Sequence, residues 1–477
     1  MTFRKKSLGI DLGTFHTVAV HADSTKLTFS KRSIPSVAVV IKDTPIVGFE
    51  AQRLSASATR LIVAPKLKLH DRSEPLDLIK PILRKLVDES ISNLGMKEAS
   101  AVLTVPPAWS INDCISIKDA VEALGFSVSF LHEPVALLAA AYYMARHSQG
   151  DYQRSGQLVN AESILVCDWG AGTVDLAFVK VQRKVDGSTE FAVLGERTEI
   201  GDGGTDLAKD IVSRAAVATE KPRVDYFAYQ LQEAWQGNQL PGFDASLFET
   251  NTTSRRQEAA ERISASVSKL LSELEVHDRA AILTILYGGP LESKELSESL
   301  TARLVIDARL SRNHIFNLDS TFVERQGSFV LARRDALVAA GAALYGTTGE
   351  AIPEFEYEVI LRDSFGSKSS SVRLVRDRNL KGIQVVTPPF TGVDYFVDIA
   401  QLTRGNNETR PTSISGELRL HVREGAVVMY SIADAGVGFV KIQAAEAMDL
   451  PSPKLFDDSR VEELLIPEKS TRFILNI

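Results

Sequence analysis

The sequence predicts an α/β protein with a duplicated sheet core, followed by a smaller β-rich region. Three observations predict it. Apolar strands alternate with helical segments through roughly the first 350 residues, and the strands are continuous apolar runs, as in sheets buried on both faces. A strand–glycine turn–strand unit at residues 8–20 recurs at residues 163–181. Beyond Gly349 the texture changes to short β-favouring runs split by polar turns.

With 477 residues, two or three domains are expected, and the pattern divides the chain at 1–160, 161–348 and 349–477. A hydrophobic content of 44% with 24% charged residues is that of a soluble globular protein. The net charge of −7, from 54 basic and 61 acidic residues, argues against a nucleic-acid partner or an anionic membrane. Cys114 and Cys167 are the 2 cysteines, so a disulfide framework and a CxxC metal pair are both excluded. Met1 to Lys6 leads into a strand without an apolar signal segment. No run of about 20 apolar residues occurs, and a cytoplasmic protein is expected.

Leu8–Asp11 breaks at Gly13-Thr14 and Thr17–Val20 follows at once, which predicts a hairpin. Leu76–Leu94 has helical periodicity, with Leu78, Ile82, Leu86 and Ile91 on a shared face and Gly95 as C-cap. A strand at Ala101–Val105 stops at Pro106-Pro107. Helix Asn112–Leu124, closed by Gly125, strand Val128–Leu131 and the alanine-rich helix Pro134–Arg146 complete the first half. The pattern restarts with strand Ser163–Asp168, the turn Gly170-Ala171-Gly172-Thr173 and strand Val174–Val181. Helices Thr205–Ala218 and Gln257–Leu274, strand Ala281–Tyr287, the turn Gly288-Gly289 and helix Arg334–Leu344 follow. The later β-favouring runs, from Tyr357–Leu361 to Thr471–Ile477, are spaced as in a small β-sandwich, and no helical segment of lid length follows them.

Both glycine turns carry threonine beside an aspartate: Asp11-Leu12-Gly13-Thr14, and Asp168-Trp169-Gly170-Ala171-Gly172-Thr173-Val174-Asp175. A tight turn lacking bulky Cβ groups lets successive N–H groups face an anion, and hydroxyls add donors. The carboxylates repel phosphate, so their presence suggests hydrated Mg²⁺ between them and the phosphates. Two such turns, one per repeat, would clamp a polyphosphate from opposite sides of a cleft.

Here a family resemblance becomes specific. Gly9-Ile10-Asp11-Leu12-Gly13-Thr14 resembles the first phosphate loop of Hsp70 proteins, and Arg32-Ser33-Ile34-Pro35-Ser36 their following turn. Ala101-Val102-Leu103-Thr104-Val105-Pro106 and His132-Glu133-Pro134 resemble segments that set Hsp70s apart from actins and sugar kinases. Asp168 to Asp175 resembles the second phosphate loop, Leu286-Tyr287-Gly288-Gly289 the adenosine loop, and Gly341-Ala342-Ala343 the closing helix. The similarity covers residues 7–346, with a poor stretch at 215–280.

The resemblance implies an actin-like, Hsp70-type two-lobed ATPase core that takes ATP and Mg²⁺. The β-rich C-terminal region would be a reduced substrate-binding domain without a helical lid. Asp11, Asp168 and Asp175 would organise Mg²⁺ and the attacking water, and Thr14 and Thr173 would offer hydroxyls to phosphate. Lys66, in Ala64-Pro65-Lys66-Leu67, falls at the family's catalytic lysine. Glu133 falls at the acid near the γ-phosphate, and Pro106 at a proline linked to interdomain signalling. Gly13, Phe15, Gly170, Ala171, Gly172, Gly201, Gly288, Gly289, Pro290 and Glu292 fall on the nucleotide-contacting loops. The implied chemistry is phosphoryl transfer to water, where positioning and charge neutralisation dominate.

The chain also departs from the family pattern. Phe15 and His16 replace smaller and tyrosine-like residues, and Cys114 stands where a relay arginine is usual. Pro290-Leu291-Glu292 replaces Ser-Thr-Arg, which reverses the charge beside the nucleobase. Gln230–Leu240, with Trp235, is the nearest candidate for the basic helix that flanks adenine. About 35 residues separate Lys66 from Ala101, so the outer part of the first lobe is trimmed. The interdomain stretch carries Glu350, Glu354, Glu356 and Glu358 in place of a leucine-rich run.

Other features read as ordinary. Arg255-Arg256 is a solvated helix start, Cys167 a packed core thiol, and His16 and His132 structural residues near the cleft. The sequons at Asn251 and Asn407 lack a signal segment to make them acceptors. The expectation is an atypical, slowly ATP-hydrolysing chaperone or chaperone partner, with unfolded polypeptide or another chaperone as its protein ligand. A non-hydrolysing binding protein, an actin-like filament protein and a sugar kinase remain alternatives.

Overall fold

The computed structural model describes residues 6–23, 28–55, 58, 60–92, 94, 100–147, 152–214, 221–235, 248–318, 336–352, 355–362, 368–374, 383–386, 393–403, 409–410, 418–422, 427–434, 439–447, 462–467 and 471–475. The chain divides into Met1–Glu350 with Ile474–Ile477, and Ala351–Phe473. No helix among the described residues is long and apolar enough to cross a membrane.

The predicted first hairpin forms. Lys6–Leu12 and His16–Asp23 pair antiparallel with Leu12 opposite Thr17. They sit in a sheet of order Thr28–Pro35, His16–Asp23, Lys6–Leu12, Ser100–Val105, Ser127–His132, in which the last three strands run parallel. The second hairpin repeats the plan. Ser163–Trp169 pairs antiparallel with Thr173–Arg183 and parallel with Leu283–Tyr287. Its sheet has the order Ile315–Asn317, Leu283–Tyr287, Ser163–Trp169, Thr173–Arg183, Thr189–Ile200, Thr471–Leu475, Gly349–Ile352. Thr471–Leu475 was expected among the later β runs. It instead covers the flank of Thr189–Ile200, where an open edge would leave backbone groups unpaired.

The alanine-rich helices Glu133–His147 and Leu337–Thr348 are almost wholly buried. Their small side chains allow close backbone approach. A Cβ on Gly341 would lie 1.7 Å from the Ala136 carbonyl oxygen, and one on Gly9 1.9 Å from that of Ala339. Helix Leu76–Ile91 is shorter than read from the sequence, and Gly95 lies outside the described residues. Its buried stripe is Ile79, Ile82, Leu83, Leu86, Val87 and Ser90, whereas Leu78 and Ile91 are partly exposed. The 3.6-residue period selects that set once the helix starts at Leu76.

A separate small sheet has the order Thr44–Val47, Val37–Ile41, Leu61–Val63, with helix Gly48–Leu54 joining its outer strands. Its strands all precede Lys66, and the stretch from Lys66 to Ala101 carries helices Pro65–His70 and Leu76–Ile91. Lys42 and Asp43 turn the small sheet's tightest corner with φ of 47° and 63°, the left-handed pair that suits a two-residue hairpin.

Helices Gly204–Arg214, Lys221–Trp235, Glu249–Glu273 and Lys294–Asp307 pack on the second sheet around Leu165, Cys167, Trp169, Ile211, Ile263 and Leu300. Cys167 is a packed thiol, as expected. Residues 215–218 lie outside the described residues. Arg255-Arg256 is not a solvated helix start. Arg255 pairs with Asp210 at 2.6 Å. Arg256 donates to the Ser293 hydroxyl at 3.0 Å and lies 5.0 Å from the Trp235 ring. Long arginine stems pack on apolar surface while their heads find partners, so charge alone misjudges their exposure.

Ala351–Phe473 contains two antiparallel sheets. One has the order Lys368–Leu374, Phe355–Arg362, Val393–Thr403, Thr409–Arg410, with Leu418–Val422 also on Val393–Thr403. The other runs Ile383–Val386, Val427–Asp434, Phe439–Ala447, Glu462–Pro467. Leu418–Val422 touches the second sheet, and Tyr395, Val428, Tyr430 and Ile442 are buried.

The contact at Gly341 gives a direct test of the core. Gly341→Leu is expected to destabilise the protein by about 1–3 kcal/mol or more through overpacking, read as a lower urea midpoint. An unchanged midpoint would show that the two helices are not in contact there.

Candidate functional site

The two glycine turns meet. A Cβ on Gly172 would lie 2.3 Å from Thr14 Oγ1 and 3.0 Å from Leu67 Cδ2, so the backbone of one turn rests on the hydroxyl of the other. The first turn is fixed from behind by Ser36, whose hydroxyl donates to the Gly13 carbonyl at 2.7 Å and whose N–H donates to that of Phe15 at 2.8 Å. The second is stitched to the start of helix Gly204–Arg214. Gly204 N–H donates to the Gly170 carbonyl at 3.0 Å, and Thr205 N–H to that of Ala171 at 2.6 Å.

Around this junction stand the predicted charged groups. Sheet register places Asp168 directly opposite Asp175. Thr173 Oγ1 donates to one Asp175 oxygen and Thr198 Oγ1 to the other, each at 2.6 Å. Thr104 Oγ1 donates to Asp11 at 3.2 Å. Lys66, in helix Pro65–His70, forms a buried ion pair with Glu133, the first residue of its helix. The Lys66 ammonium also lies 5.4 Å from the Trp109 ring.

The electrostatics follow from burial and from too few cations. Burial, then the charges of Glu133, Asp175 and Asp11, hold the Asp168 carboxyl well above the usual range. Burial and Glu133 raise Asp175 to about 7, against the hydrogen bonds from Thr173 and Thr198. For Lys66, burial opposes the ammonium, but Glu133, Asp11 and Asp175 outweigh it and the pKa is raised. A cluster of buried carboxylates in excess of its cations has the chemistry of a divalent-cation site. Among the described residues, no group of three His, Cys, Asp or Glu side chains is gathered to hold a metal directly.

The remaining predicted positions lie on the walls. Gly201 is in the loop before helix Gly204–Arg214 and has φ 92°. Gly288 has φ 125°, and a Cβ there would lie 1.8 Å from the Trp169 carbonyl oxygen. The adenosine-loop candidate is thereby pressed onto the end of the strand that carries Asp168. Gly289 and Pro290 follow in a 3-10 turn, Gly289–Glu292, with Pro290 Cγ 3.2 Å from a Cβ on Gly204. The Glu292 side chain lies outside the described residues, as do residues 236–240 of the Gln230–Leu240 candidate. Phe15 is buried, its ring 5.3 Å from that of Tyr229. The Tyr229 hydroxyl donates to Glu233 at 2.8 Å, and Gln52 donates to the same oxygen at 2.9 Å. Cys114 is buried, and its thiol is pushed up to about 12 by burial and Asp113.

Several residues of this site escape a sequence reading. Thr104 and Thr198 prop Asp11 and Asp175, and Glu196 pairs with His132 Nδ1 at 2.7 Å. Asp202 takes a bidentate contact from Arg262 and, through its carbonyl, a hydrogen bond from the Trp169 indole at 2.8 Å. The strand runs into the Gly201-Asp202-Gly203-Gly204 loop as Glu196-Arg197-Thr198-Glu199, polar at every position, so no alternation marks 196 and 198.

Comparison with known proteins now adds to this geometry. The family model for the Hsp70 protein matches residues 31–227. The chaperone protein DnaK of Thermoplasma volcanium is 29% identical over 232 residues, covering 44% of this chain and 35% of that protein. The chaperone protein HscA homolog of Histophilus somni is 27% identical over 261 residues, 46% of this chain and 39% of the relative. DnaK of Thermoplasma acidophilum is 30% identical over 232 residues, 44% and 35%. The matched stretch thus spans little more than a third of each relative's length.

Raised carboxylate values fix the sign of a pH effect. Between the ordinary aspartate value of 3.8 and about 7, folded Asp175 holds a proton that the unfolded chain has lost. Stability of the nucleotide-free protein therefore falls as pH rises through that window and then levels. Asp175→Asn is expected to remove this decline and to raise the melting temperature at about pH 8. A variant that melts below the parent there would contradict the electrostatic account.

Proposed function

We propose that this chain, similar over residues 31–227 to the Hsp70 protein family and to DnaK and HscA chaperones, is an Hsp70-like member of the actin-like ATPase superfamily that binds Mg·ATP between its two glycine turns and hydrolyses it slowly. The reading is carried by one observation: Asp11, Lys66, Glu133, Asp168 and Asp175 converge on the point where the turns meet. Residues 1–160 and 161–348 would act as the two lobes. The chaperone names of the relatives support a chaperone or chaperone-partner role, with residues 349–477 as the region that meets polypeptide or another chaperone.

Each residue has a task in this reading. Thr14 and the N–H groups of the Gly170–Gly172 turn would hold phosphate oxygens, helped by the positive end of helix Gly204–Arg214. Lys66, kept charged by Glu133, would face the developing charge on the transferred phosphoryl group. A hydrated Mg²⁺, when bound, would neutralise phosphates and carboxylates together. Asp11, Asp168 and Asp175 would position its waters and orient the attacking one. Thr173 has its proton committed to Asp175, so a phosphate must compete for that hydroxyl. The turns must also part to admit the nucleotide, because Thr14 rests against Gly172. The second reading is a protein that binds nucleotide or partner without hydrolysis.

Turnover decides between them. The parent protein is expected to release phosphate from ATP in a Mg²⁺-dependent reaction. Asp168→Asn and Asp175→Asn should each slow it by about a hundredfold with less effect on nucleotide affinity. Equal turnover in parent and variants would overturn the assignment, and a parent that binds ATP without hydrolysing it would establish the second reading.

A further inference from the structure

His132 and Glu196 form a part-buried ion pair to which the reading above gives no task, and it joins the two sheets. His132 ends Ser127–His132 in the first sheet, and Glu196 lies in Thr189–Ile200 of the second. Their atoms Nδ1 and Oε2 are 2.7 Å apart, with side-chain exposures of 11% and 15%. Both partners sit one step from the reacting groups. His132 immediately precedes Glu133, whose carboxylate holds Lys66. Glu196 is two residues from Thr198, so both side chains leave the same face of one strand. Thr198 grips Asp175, and the strand register sets Glu196 opposite Ala177 and Thr198 opposite Asp175.

We propose that the His132–Glu196 pair is a positioning device that holds Glu133, from one sheet, at a fixed separation from Asp175, from the other. The proposal rests on the ATPase reading above. Stability alone explains the pair poorly, since removing two charged groups from water offsets much of their mutual attraction. What a part-buried, well-directed pair supplies is geometry. The chain of contacts Lys66–Glu133–His132–Glu196–Thr198–Asp175 crosses from one side of the reacting space to the other through side chains and two short stretches of backbone. Burial opposes a charge on His132, but Glu196 first, and then Asp175 and Glu133, outweigh it and raise its pKa. Neither His132 nor Glu196 needs to touch nucleotide for this role.

His132→Gln, Glu196→Gln and the double variant test it, with calorimetric nucleotide binding, steady-state turnover and thermal melting measured on the full chain. Each single variant is expected to lower kcat by about tenfold or more, the effect of a small misplacement at a reacting centre, while Mg·ATP affinity changes by less than about threefold. The double variant should lose no more than the weaker single variant, because the two residues act as one unit. Glu196→Asp, which keeps the charge on a shorter arm, should fall between Glu196→Gln and the parent, and it carries the test if a Gln variant does not fold. Losses that multiply in the double variant, or kcat within about twofold of the parent in both singles, would overturn the proposal and leave the ATPase reading intact. A parent without turnover would overturn both.

Discussion

Lys66 and Glu133 satisfy each other, and that pairing sets the terms for everything else in the cleft. With the ammonium matched to Glu133, Asp11, Asp168 and Asp175 share the remaining negative charge at a place where Asp168 and Asp175 are buried. A buried carboxylate that lacks a cation is held toward its neutral form, which is the direction found for both. The cleft is therefore electrostatically unfinished. Two glycine turns that meet beside carboxylates in need of a cation fit a ligand that brings both charges at once.

The fold exists to hold that arrangement against its own repulsion. Hairpin register, rather than side-chain packing, puts Asp168 opposite Asp175, and the parallel neighbour Leu283–Tyr287 brings Gly288 onto the same strand end. Behind the sheets, the crossing of two alanine-rich helices at Gly341 leaves little room for the strands to shift. Hydroxyls supply the fine adjustment. Thr104, Thr173 and Thr198 donate to the carboxylates, which lowers the cost of keeping them charged without adding a competing cation.

Much of this was legible in the sequence, for identifiable reasons. Gly13 with Thr14, and Gly170 to Thr173, mark their turns because few residues tolerate such close backbone contact, and the repeat of the unit exposed the duplication. Asp11, Lys66, Glu133, Asp168 and Asp175 were all found at the junction. The supports were not. Thr198 and Glu196 act on residues far away in the chain, so no local pattern singles them out. His132 read as structural, and its partner across the cleft could not be inferred from spacing. Arg255 and Arg256 misled because charge signals solvent until a partner such as Asp210 or Trp235 is known. Thr471–Leu475 misled because pairing with a distant sheet leaves no trace in composition.

The account stands or falls on a ligand that must bring both charges. Calorimetric titration of ATP into the nucleotide-free protein, in Mg²⁺ and again in chelator, measures this most directly. Binding in Mg²⁺ that weakens by about tenfold or more without it, a difference of about 1.4 kcal/mol, is the result the charge arrangement predicts. Equal affinity in the two buffers would contradict it, because bare triphosphate would then enter a cleft of uncompensated carboxylates at no cost.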